Sequence, residues 1–179
     1  MAGFYDEGAL RHIALNLFNG WGYNFYRAEN QLRADDQLVR SKADWLLGQA
    51  RAAVGAADST YRREAFGTPT RDKPLPDPAV VENARRIERL GAAIGGIAGR
   101  LQAQPAPEAD RMSQRYRREA ATLKALIVSD EQLVGQCALL QQLADAPSPV
   151  ALLERLGELQ EGVKAIEATL RGRETILLS

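Results

Sequence analysis

A chain of 179 residues with 23 basic and 23 acidic side chains has no net charge, so no global field steers it toward nucleic acid or an anionic membrane. A single cysteine, Cys137, excludes an internal disulfide, and the longest apolar stretch, LGAAIGGIAG at 90–99, falls short of the roughly 18 residues that span a bilayer. With no secretory signal at the amino end, these features lead to the expectation of a soluble cytoplasmic protein.

The composition is 45% hydrophobic and only 6% aromatic, rich in Ala, Leu, Arg, Gln and Glu, which favours helices over sheets. Leu10, Ile13, Ala14, Leu17 and Phe18 recur at i, i+3, i+4, i+7 and i+8, predicting an amphipathic helix over 6–18 that ends at Asn19-Gly20. A longer helix is expected over 24–54, with a weaker extension toward Phe66. Its inward face would carry Phe25, Ala28, Leu32, Val39, Trp45, Leu46 and Ala50. The segment GTPTRDKPLPDP at 67–78 holds four prolines and cannot be helical. Asp77-Pro78 then offers an N-cap followed by a first-turn proline.

The next helix, 78–103, carries a heptad of Val80, Ile87, Ile94 and Leu101 with Leu90 and Ile97. Pro105 and Pro107 close it. A fourth helix is expected over 108–127 (Met112, Tyr116, Leu123, Ile127), and Ser129 with Gln132 reads as a capping box opening a fifth at 130–145. Cys137 would face inward there with Leu133 and Leu140. Pro147-Ser148-Pro149 breaks the chain, and a last helix at 149–177 bears Leu152, Leu156, Leu159, Val163, Ile166, Leu170 and Leu177, interrupted by Arg173. No segment shows strand alternation. The expected fold is an all-α, single-domain bundle of five to six helices with a proline-rich loop at 67–78.

The chemistry-bearing residues are few. One histidine, His12, and one cysteine cannot build a di-iron or zinc site, so neither a metal nor a cofactor is expected. There is no nucleophile elbow, P-loop or dinucleotide fingerprint, and enzymatic function has no positive support. Gly91, Gly95 and Gly99 are spaced by four, a line along which another helix could approach closely, within the chain or from a second copy.

Arginines gather at 85–89 and 111–118, and the span 62–124 holds 13 basic against 8 acidic residues. Acidic residues elsewhere, including Glu154, Glu158, Glu161 and Glu167, balance it, which ranks nucleic-acid binding low. The most distinctive feature is FNGWGYNFYR at 18–27, where Phe18, Trp21, Tyr23, Phe25 and Tyr26 supply five of the chain's eleven aromatics. Either they fill a corner between two helices or some of them form an interface. The leading expectation is a non-catalytic module that binds another protein, as subunit, adaptor or assembly factor, with self-association as an accompanying expectation. The alternative is a bundle holding an apolar ligand near Gly91–Gly99, His12 and Trp45.

Overall fold

The computed structural model describes residues 3–19, 32–72, 74–104 and 120–178. It is an all-α bundle of six helices among these residues: α1 (Glu7–Asn19), α2 (Leu32–Ala65), α3 (Pro78–Ala103), α4 (Ala120–Ala144), α5 (Pro149–Glu154) and α6 (Leu156–Leu178). Helix α4 is central, packing against α1, α2 and α6, while α3 lies across α2 and α6. Residues 133–137 are buried in succession, so every side of α4 is covered at that level, as expected for a helix enclosed by its neighbours.

Helix starts follow local hydrogen-bond chemistry. Asp6 Oδ1 accepts the N–H of Ala9 (3.1 Å) at the start of α1, and Asp77 Oδ1 accepts that of Ala79 (2.8 Å) ahead of Pro78. Ser148 Oγ accepts the N–H of Ala151 (3.2 Å), as its position between two prolines predicts. At the end of α2, Gly67 takes φ +67°, a left-handed conformation that glycine adopts without a Cβ penalty.

The core follows the heptads. Ile87, Leu90, Ile94, Ile97 and Leu101 of α3, Val39, Leu46 and Ala50 of α2, and Leu152, Leu156, Leu159, Val163, Ile166 and Leu170 of α5 and α6 are all buried. Cys137 lies buried with Leu133 and Leu140, and burial pushes its thiol pKa up. The continuation of α2 beyond Val54 is full helix. It is held to α3 by Asn83 Nδ2 donating to Tyr61 Oη (3.3 Å) and by Arg62 bridging Asp58 and Glu88, each at 2.8 Å.

Four expectations need correction. Trp45 does not face inward: it is 54% exposed, with Lys42 Nζ 4.5 Å from its ring centroid. The inward stripe of α2 runs through Val39, Ala43, Leu46, Leu47, Ala50 and Val54, and Trp45 sits beside it. The described chain does not stop and restart at Ser129, because α4 passes through as one helix. Helical hydrogen bonds supply what the capping box would have supplied, and no Gly or Pro interrupts residues 120–134. The last helix is two, parted at Arg155 (φ −91°, ψ 3°), whose N–H reaches back to the carbonyls of Ala151 (3.3 Å) and Leu152 (3.2 Å).

The fourth correction concerns Arg173, which does not interrupt the buried stripe of α6 but continues it past Leu170, itself fully buried. Its Nε donates to Asp130 Oδ1 of α4 (2.6 Å), Nη1 to Gln104 Oε1 just past α3 (2.8 Å), and Nη2 pairs with Asp36 Oδ1 of α2. Asp36 also holds Arg40 Nε (2.9 Å), Arg40 Nη1 donates to the Gln104 carbonyl (2.7 Å), and Gln104 Nε2 donates to the Leu170 carbonyl (2.8 Å). Burial disfavours the charged guanidinium of Arg173, but the two carboxylates outweigh it and raise its pKa. Two cations and two anions thus join four chain segments with no net charge.

Removing the shared cation unbalances the junction. The substitution Arg173→Met takes the buried guanidinium away from Asp130 and leaves Asp36 to Arg40, and its expected cost is about 3–5 kcal/mol. Urea denaturation checks this, and the double substitution R173M/D130L, which keeps the Asp36–Arg40 pair, should recover part of the loss.

Candidate groove between α4 and α6

Helices α4 and α6 run antiparallel, since Asp130 pairs with Arg173 while Gln136 lies beside Thr169. Between them lies an open groove of about 680 Å³, to whose lining Tyr5 also contributes. Helix α4 lines it with Lys124, Ala125, Val128, Ser129, Gln132 and Gln136; α6 lines it with Ala165, Ala168, Thr169, Gly172 and Ile176.

The floor is fixed by a chain of hydrogen bonds. Thr169 Oγ1 donates to Gln136 Oε1 (2.9 Å), and Gln136 Nε2 donates to the Phe4 carbonyl (3.0 Å). This bond ties the amino-terminal turn to the bundle, placing the Phe4 ring over Gly162, where a Cβ would lie 2.7 Å from ring atom Cε1. Tyr5, the next residue, is left 64% exposed at the groove's edge, and Val128 is 43% exposed on its wall.

Lys124 supplies the one formal charge in the lining at neutral pH. Among the described residues it meets no carboxylate within ion-pair distance. A smaller concavity of about 260 Å³ between α1 and α4 adjoins the groove, sharing Val128 and Gln132. There Arg11 pairs with Glu131 at 3.1 Å. Burial raises the Glu131 pKa, and Arg11 opposes that rise.

The residues singled out from sequence are scattered. Phe18 is buried in the core; Trp21, Tyr23, Phe25 and Tyr26 lie outside the described residues. His12 is exposed on α1, which packs on α4, whereas Gly91, Gly95 and Gly99 lie on α3, which packs on α2 and α6. The histidine and the glycine line therefore belong to different faces, and Trp45 points outward. A Cβ at Gly91 would rest 3.5 Å from Val54 Cγ1 and one at Gly95 3.4 Å from the Arg51 guanidinium, so both face α2. Gly99 faces open space.

The close helix approach in this fold is elsewhere. A Cβ at Gly135 of α4 would meet the backbone of Leu10 in α1, with Leu10 C at 2.8 Å and Cα at 2.9 Å. No spacing rule marks Gly135, because it stands alone among large residues. Several arginines have acidic partners: Arg62 as above, Arg89 with Glu82 (2.9 Å) and Arg100 with Glu167 (2.9 Å). Residues 111–118 lie outside the described residues.

Among the described residues no group of three or more His, Cys, Asp or Glu could hold a metal ion, and no helix is long and apolar enough to cross a membrane. No family model matches the chain, and neither a curated protein nor a solved structure matches it.

The two kinds of glycine should respond oppositely to alanine. Gly135→Ala is expected to destabilise by about 1–3 kcal/mol, because backbone rather than a flexible side chain fills the space. Gly99→Ala should stabilise by up to about 1 kcal/mol from helix propensity alone. Thermal and urea unfolding of the two variants beside the parent protein checks both signs.

Proposed function

We propose that the protein is a non-catalytic helical module of a cytoplasmic complex, acting as subunit, adaptor or assembly factor, and that it binds its partner protein through the α4–α6 groove. The observation that carries this reading is the groove itself: an open channel lined by Ala, Gly, Val and Ile together with Ser129, Gln132, Gln136 and Thr169, with Tyr5 and Val128 exposed at its edge. Small residues on a receptor surface admit large apolar side chains from a partner, and an exposed tyrosine supplies the rigid amphipathic contact typical of interfaces. Trp21, Tyr23, Phe25 and Tyr26 remain candidate anchors of the same binding role, and self-association through Gly99 on the outer side of α3 is a secondary route.

A small apolar ligand is the alternative occupant. Its place is this groove rather than the neighbourhood of Gly91–Gly99, His12 and Trp45, since the volume falls within the roughly 300–1,000 Å³ of ligand pockets.

Site-specific photo-crosslinking tests the protein-binding reading. A benzoylphenylalanine at Val128, introduced in the native host, is expected to give a covalent adduct with another protein. The same probe at Leu75, 76% exposed on the proline-rich loop, should not give that adduct. Absence of any adduct from Val128, or identical adducts from both positions, would remove the proposal.

A further inference from the structure

The groove's lining has a periodicity that restricts what fits it. On α4, Ala125, Val128, Ser129, Gln132 and Gln136 follow one another at offsets of 0, 3, 4, 7 and 11 residues; on α6, Ala165, Ala168, Thr169, Gly172 and Ile176 follow at the same offsets. Each set is a heptad-like stripe along one face of a helix, and the two stripes run side by side in opposite directions. Both extend over eleven residue steps, about 16 Å at the helical rise. Two such stripes form the seat into which the ridge of a third helix packs, and that seat is about three turns long.

Charge adds a second restriction. In the antiparallel register Lys124 stands at the end of the groove toward the carboxyl-terminal end of α6, beyond the Asp130–Arg173 pair, and no carboxylate among the described residues pairs with it. The rest of the lining is uncharged at neutral pH. An occupant that completes this surface carries negative charge at that end and none along its middle.

Resting on the protein-binding reading above, we propose that the groove receives one amphipathic helix of a different protein, about three turns long. That helix bears a stripe of large aliphatic side chains and a carboxylate that meets Lys124. Helix-in-groove recognition of this kind reads anchors at i, i+3, i+4 and i+7, the spacing that both walls present. The walls are short at Ala125, Ala168 and Gly172, so the bulk comes from the partner.

Gly172 provides a clean block. It is exposed, and a Cβ there meets nothing within 4 Å, so Gly172→Leu fills the groove without disturbing the fold. The probes are two fluorescently labelled synthetic helical peptides with a Leu/Ala stripe, one with Glu at both ends and a twin with Lys in those places. They are titrated against the full chain at low salt, with amide shifts followed in parallel. The Glu peptide should bind in the micromolar range and shift residues of the α4–α6 groove. The Lys twin should bind about threefold more weakly, and K124E should reverse that preference. G172L should weaken the Glu peptide at least about tenfold with an unchanged or higher Tm.

Failure of both peptides to bind below millimolar concentration, or binding that ignores both substitutions, would overturn the proposal. A concentration-dependent dimer abolished by G172L would also overturn it, placing a second copy in the groove. A Val128 crosslink to another protein that persists while the peptides fail would reject the acidic helix and leave the broader protein-binding reading standing.

Discussion

The arrangement of this bundle depends on one buried guanidinium. Arg173 reaches Asp130, Asp36 and Gln104 from the carboxyl-terminal part of α6, so four segments distant in sequence share a single polar junction. Apolar stripes alone tolerate sliding, because one Leu or Ile replaces another at modest cost. The junction does not. A one-turn shift of α6 would carry the guanidinium away from two buried carboxylates, at several kcal/mol. Its contribution is therefore register rather than gross stability.

Register is what makes the groove. Asp130 and Arg173 stand next to Ser129 and Gly172, so the bond that fixes α4 against α6 sets their groove-facing residues opposite each other. The hydrogen bonds from Thr169 to Gln136 and on to the Phe4 carbonyl fix the other end and bring Tyr5 to the edge. A surface framed by two buried polar contacts is held in place by the fold itself, and a preorganised surface lowers the ordering cost of the binding proposed for it.

Much of the fold was legible because its determinants are local. The α3 heptad, the caps at Asp77 and Ser148 and the proline breaks depend on residues within one or two turns. The failures share a cause. Ser129 and Gln132 have the residue types of a helix start, but Asp130 is committed to a partner 43 residues away, and only the tertiary pairing shows that the helix runs through. Arg173 looked like a fault in an apolar repeat for the same reason. Gly135 could not be distinguished from the evenly spaced Gly91, Gly95 and Gly99, although it alone of the four meets a neighbouring backbone. The groove was invisible in the sequence because its walls are small residues of two helices, aligned by a junction that no periodicity encodes.

Hydrogen–deuterium exchange across α4 in the free full-length protein tests the central claim most directly: that this helix passes unbroken through Ser129 and Asp130, pinned by Arg173, and forms a preformed wall. Amides over 128–134 should exchange only with global unfolding, and slowly together. Exchange of 128–131 within seconds, while 133–140 stays protected, would mean that the helix breaks at Ser129. It would contradict both the junction and the groove it frames.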